Sequence, residues 1–229
     1  MKLTRQQSII IGVSIGLLIA VFFVIRKLTP FKKRVVDSAN EEWARFGYQT
    51  RDKDGNWIQI GYKEDDDRGF AQRVGDYWRN IGRDNIDGND GTYYWSSAFI
   101  SFVMGNAGRL FGIPFKETSS HSRYIRQYVK NRKEGKTNAP FVAYRLHELP
   151  AEVGDLVCYA REDTEDDPYD RESSYPSHCD IVVNKTDTEI EVIGGNVNDS
   201  VSKKVLTHQN GYITDTNNRS SIFLFTQED

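Results

Sequence analysis

Two groups in this chain combine a reactive side chain with a placement suited to nucleophilic chemistry: a serine at the start of an apolar helical run and a histidine at the start of an apolar strand. The serine is Ser96, within Tyr93-Tyr94-Trp95-Ser96-Ser97-Ala98-Phe99-Ile100-Ser101-Phe102-Val103-Met104. The histidine is His178, within Ser177-His178-Cys179-Asp180-Ile181-Val182-Val183. A hydroxyl at neutral pH is a poor nucleophile, so it needs a base within hydrogen-bond reach and a third group to orient that base. Asn196, in Val192-Ile193-Gly194-Gly195-Asn196, can take the third role, with Asp180 and Asn198 as competitors for it. Tyr94 and the backbone N–H of Ser96 or Ser97 are candidates for stabilising an oxyanion, although Tyr94 could equally be wall packing.

Trp95 to Val103 resembles the Trp-Cys-Ala-Ala-Phe-Val-Ser-Trp-Val helix start of bacterial cell-wall amidases and peptidases with the papain-like fold, the NlpC-like and CHAP-like superfamily. Gly154-Asp155-Leu156-Val157-Cys158 is similar to that group's Pro-Gly-Asp-Leu-Val strand, and Ser177 to Val182 to its Gly-His-Val-Gly-Ile-Val strand. A closer resemblance, over roughly Val35 to Thr226, is to a bacterial family described only as a domain of unknown function. That family shares the Trp-Ser start, the His-Ser-x-Tyr-Ile run at His121 and the Ser-His-Cys-Asp strand. The resemblance implies a peptidoglycan amide-bond hydrolase with Ser96, His178 and Asn196 as its catalytic residues; His121, in the shared run, is assigned to the pocket lining, beside the oxyanion candidates Tyr94 and Ser97. The alternatives are a catalytically inactive cell-wall-binding module of the same fold and a lipid acyl hydrolase or transferase.

One departure from the superfamily changes the chemistry: its catalytic cysteine is replaced by serine. A helix N-terminus and a nearby imidazolium can hold a cysteine as thiolate, but a serine hydroxyl lies too high in pKa for the same devices. Ser96 therefore requires a true general base during attack.

The elements that must position these groups are legible from periodicity. Val35, Val36, Ala39, Trp43 and Phe46 recur at helical spacing, as do Phe70, Val74, Tyr77, Trp78 and Ile81. Residues 50–67 read as a loop or short hairpin, and the Asn-, Asp- and Gly-rich stretch 83–92 as the loop delivering the chain to the Ser96 helix. In that helix Phe99, Phe102, Val103 and Ala107 can face a core, with Trp95 assigned to packing. A fourth helix is expected over residues 119–132, and from Asp155 onward strands over 155–159, 179–184, 189–193 and 221–226. Helices first and strands later predict an α+β domain with N-terminal helices on an antiparallel sheet.

Composition bounds the rest. Hydrophobic residues make up 38% and charged residues 28% of the 229, the balance of an ordinary globular domain plus one apolar segment. Residues 8–25 are uncharged, bulky at their C-terminal edge and bracketed by Arg5 and Arg26, which reads as an uncleaved membrane helix rather than a signal peptide. Residues 1–29 are thus expected to be a membrane anchor and 30–229 the papain-like domain. The four bases and no acid of that anchor leave the rest at −7 against the chain's −3, an acidic surface that argues against nucleic acid. The expected partners are peptidoglycan and, through the helix, the membrane.

The family resemblance points to a single-pass inner-membrane protein with a periplasmic domain, while Arg26, Lys27, Lys32, Lys33 and Arg34 point the other way under the positive-inside rule; a phage origin is compatible with either. Cys158 and Cys179, the two cysteines, fall on strands of one hairpin, where a disulfide and two buried small hydrophobes are both open readings. The four histidines show no metal-ligand spacing with them, and no cofactor is expected. Residues 161–177 hold seven acids and two arginines, a solvated acidic loop expected near the site.

Overall fold

The computed structural model describes residues 28–226 apart from 68, 137, 163–166 and 215–220, with the backbone alone for 221–226. The expected membrane helix at residues 8–25 lies outside the described residues. Among the described residues no helix is long and apolar enough to cross a membrane.

The chain order is α1 (Pro30–Arg45), β1 (Thr50–Arg51), β2 (Trp57–Gln59), α2 (Phe70–Arg79), α3 (Ser96–Phe111), α4 (His121–Lys133), β3 (Phe141–Arg145), β4 (Leu156–Ala160), β5 (Ser177–Lys185), β6 (Glu189–Gly194), β7 (Ser202–Gln209), β8 (Tyr212–Ile213) and β9 (Ser221–Thr226). Pro30 begins α1 at its first turn, where a missing N–H costs nothing, and the Thr29 hydroxyl caps the helix by accepting from Lys32 N at 3.3 Å. The helix α3 ends on Gly112, whose φ of 70° is left-handed and open to glycine at little cost.

The strands form one α+β sheet in the order β2-β1-β7-β6-β5-β4-β9-β3, with β8 paired to β7. It is mixed rather than wholly antiparallel, because β1 runs parallel to β7. That pairing arises from the hairpin β1–β2, inserted between α1 and α2, whose partner β7 belongs to the far end of the chain. Strands β3 and β7 were not expected. In β7 the run Ser202-Lys203-Lys204 looks polar, yet Ser202 and Leu206 are buried and Lys203 and Lys204 lie along other side chains.

The core is a layer of aromatic and aliphatic side chains between the helices and one sheet face, joining Phe31, Val35 and Phe46 to Tyr77, Trp95, Phe99 and Val103 and to Ile181 and Ile193. A smaller cluster of Val157, Val182, Ile190, Val192 and Leu206 covers the other face. The alternation of Cys179 and Ile181 on one side with Val182 on the other explains why β5 is buried on both faces. Trp95, 1% exposed, packs on Phe46, Tyr77 and Phe99 and donates its indole N–H to the Glu64 carboxylate. This anchors the residue immediately before Ser96.

Cys158 and Cys179 stand directly opposite each other in the β4–β5 ladder and are joined as a disulfide with Cα atoms 4.0 Å apart.

Candidate active site

Ser96 occupies the first position of α3, with Trp95 as N-cap and no side-chain cap on the helix. Helix N-termini leave backbone N–H groups without intrahelical partners, so this turn presents donors beside the hydroxyl. The base in contact with that hydroxyl is His121: its Nε2 lies 2.8 Å from Ser96 Oγ. His121 begins α4, and its Nδ1 meets the hydroxyl of Tyr124, three residues on and hence on the same helical face.

The tautomer of His121 decides which of its nitrogens can serve as a base. The Thr118 carbonyl can only accept, and Ser97 Oγ donates to it at 2.8 Å. In one of the two neutral tautomers of His121, Nδ1–H donates to the Tyr124 oxygen. In that tautomer Nε2 is unprotonated and accepts from Ser96, the arrangement that a general base requires. Burial holds His121 well below the usual histidine range, with His178 and Arg161 adding to the effect, and burial likewise keeps Tyr124 protonated.

His178 begins β5 as expected, and its ring lies 5.4 Å from that of His121, but both its nitrogens are engaged elsewhere. Arg161 Nη2 lies 3.1 Å from Nδ1 and Asp180 Oδ1 lies 3.1 Å from Nε2. A guanidinium can only donate and a carboxylate can only accept, so His178 is neutral with its proton on Nε2. Its pKa is lowered, burial outweighing the attraction of Asp180. The expected Ser96–His178 bond is thus replaced by Ser96–His121.

Asn196 does not take the orienting role at His178. Asp180, two residues along the same strand, projects on the same face and reaches the ring directly. The Gly194-Gly195 turn brings backbone rather than a side chain to the pair: a Cβ at Gly195 would meet Phe99 and Trp95 at 2.5 and 2.8 Å. The chain then turns left-handed at Asn196, φ 53°, and among the described residues no hydrogen bond joins Asn196 to His178.

Asp180 also pairs with Lys204, its Oδ2 at 2.7 Å from Nζ. Burial alone would push Asp180 up, but Lys204 and His178 hold it well below the usual carboxylate range. Lys204 is correspondingly raised by Asp180 against the opposing effect of burial. Of the other expected site residues, Tyr94 is 72% exposed and lies beside Arg161, whose Cζ is 5.9 Å from its ring, while Ser97 is buried against the Thr118 carbonyl. Arg161, Tyr124 and Lys204 were not expected. The signal for Tyr124 was present in the His-x-x-Tyr spacing at a helix start; Arg161 and Lys204 carried none, being charged residues in polar surroundings.

Among the described residues no three His, Cys, Asp or Glu side chains converge as a metal site. No curated protein and no solved structure matches the chain. One family model does, over residues 82–224, from the loop ahead of Ser96 through most of β9, so that α3, α4, His178, Asp180 and Lys204 all fall within it. The chain belongs to the bacterial family described as "uncharacterized protein conserved in bacteria (DUF2272)".

Proposed function

We propose that this domain is a papain-like serine hydrolase that cleaves amide bonds of peptidoglycan, with Ser96 as nucleophile and His121, rather than His178, as general base. The observation that carries the reading is the 2.8 Å contact between Ser96 Oγ and His121 Nε2, on an imidazole whose other nitrogen is held by Tyr124. A nucleophile, a base and a group orienting the base are the three parts that hydroxyl catalysis needs.

In this mechanism His121 Nε2 takes the hydroxyl proton as Ser96 Oγ forms a bond to the amide carbon. The carbonyl oxygen becomes an oxyanion facing the backbone N–H groups of the first turn of α3. Collapse breaks the C–N bond, the His121 proton passes to the leaving amine, and water, deprotonated by the same nitrogen, releases the acyl group from Ser96. Asn196 has no part in it. Peptidoglycan as substrate, and an inner-membrane anchor with a periplasmic domain, are supported by the resemblance of the Trp-Ser helix start and the Ser-His strand to cell-wall hydrolases. The Cys158–Cys179 disulfide suits an oxidising compartment.

A second reading is favoured by a specific observation: Ser96 is only 3% exposed and His121 4%. A bond this enclosed also suits a non-catalytic cell-wall-binding module in which the pair is structural. Labelling with a fluorophosphonate probe, with Ser96→Ala as control, and digestion of purified peptidoglycan separate the two. Labelling at Ser96 with release of soluble peptide supports the hydrolase; binding to peptidoglycan with neither labelling nor release supports the module. Labelling with turnover of acyl lipids alone would transfer the site to a lipid hydrolase.

A further inference from the structure

Resting on the hydrolase reading, we propose that Arg161 is the anchor for a carboxylate of the substrate, so that the site acts on peptides carrying a free carboxyl group near the bond that is cut. Arg161 follows directly after β4, is exposed, and lies at the rim beside Tyr94, two residues before Ser96. Its Nη2 is held by buried His178, which is held in turn by buried Asp180, itself paired with the half-buried Lys204: 3.1 Å from Arg161 to His178, 3.1 Å from His178 to Asp180 and 2.7 Å from Asp180 to Lys204.

Among the described residues the charges of this assembly do not balance. His178 is neutral by its hydrogen-bond directions, burial disfavours charge on His121, and Asp180 is matched by Lys204, which leaves the positive charge of Arg161. Among the described residues Arg161 makes no ion pair with any carboxylate. An arginine held by one N–H against a neutral imidazole keeps the rest of its planar fork for an anion, and guanidinium binds carboxylate through two parallel hydrogen bonds. Burying an imidazole and a carboxylate to fix one exposed guanidinium is costly unless its direction matters. A peptide stem, whose residues carry side-chain or terminal carboxyls, supplies such an anion, and the exposed Tyr94 ring beside Arg161 supplies an apolar wall for the aliphatic part of the residue bearing it.

The test is binding to the Ser96→Ala protein, which cannot turn over, of N-acetylated peptidoglycan stem peptides and of the same peptides with their carboxyls converted to amides. The free-carboxyl peptides are expected to bind about ten-fold or more tightly than the amidated ones, as one charge-assisted pair predicts. This gap should close in Ser96→Ala with Arg161→Gln and narrow with Asp180→Asn, thermal melting confirming that each variant is folded. Equal binding of both forms, a gap that survives Arg161→Gln, or no binding of either overturns the proposal. The hydrolase reading fails separately: a wild-type protein that discriminates carboxylate from amide yet never cleaves retains the anchor and loses the nucleophile.

Discussion

The backbone of Gly194 runs so close to Asp180 that a Cβ at residue 194 would lie 2.0 Å from the Asp180 carboxylate and 2.9 Å from His178 Nε2. Asp180 cannot retreat, being held on its other side by Lys204. Gly194→Ala is expected to destabilise the domain by about 1–3 kcal/mol, the range for an extra methyl forced into a filled interior. Urea unfolding measures it, and a change inside 0.5 kcal/mol, about the spread of neutral surface substitutions, would show that the pair has room to yield.

The two histidines should separate in kinetics. His121→Ala removes the base and is expected to lower kcat by about 10²–10⁴. His178→Gln, which touches Arg161 and Asp180 but not Ser96, should act mainly on KM. If His178→Gln proves the more damaging to kcat, the base has been misassigned.

The burial of both histidines predicts a specific pH dependence of stability. Their folded pKa values lie below the ordinary 6.5, so between the folded and unfolded values the unfolded chain binds more protons. The stabilisation is complete above about pH 6.5 and is lost as pH falls below it. Asp155, raised by burial to about 6 although Lys32 Nζ lies 3.0 Å away, runs in the opposite sense between 3.8 and 6. The histidine effect is therefore clearest between pH 6 and 7, where Tm should fall with acidification in the wild type and less steeply in His121→Gln. A flat wild-type profile over that window would contradict the neutral, buried state of the pair.

Linking Cys158 to Cys179 across a sequence separation of 21 closes a loop whose chain entropy corresponds to about 3 kcal/mol. Reduction, or replacement of both cysteines by alanine, should lower Tm. Because Tyr159 faces His178 in the same ladder and Arg161 follows β4, loss of the link should also weaken the preference for free-carboxyl peptides. An unchanged Tm after confirmed reduction would mean that the ladder alone holds the strands in register.

Much of this architecture is written in local pattern. The four helices follow from apolar residues at helical spacing, and Ser96 and His178 stand at the starts of α3 and β5 because Trp95 and Ser177 mark where periodicity begins. Cys158 and Cys179 sit on adjacent predicted strands, so their proximity could be foreseen, although their oxidation could not. What local pattern could not specify is which side chain meets which. The partner of Ser96 depends on where the start of α4, 25 residues later, is laid against α3, and the loop between them has no periodicity to say. The neighbours of His178 depend on strand alternation, which favours Asp180 over Asn196, and on the β4–β5 register, which brings Arg161 to the ring. Lys204 reaches Asp180 only because β6 places β7 two strands away with its side chain on the same face. Spacing along the chain determined the four helices, strands β4, β5, β6 and β9 and the reactive residue types, but not β3 or β7; the packing of α4 and the register of the sheet decided that Ser96 is joined to His121 and that His178 is joined to Arg161, since hydrogen-bond partners are chosen by distances of about 3 Å that no sequence separation encodes.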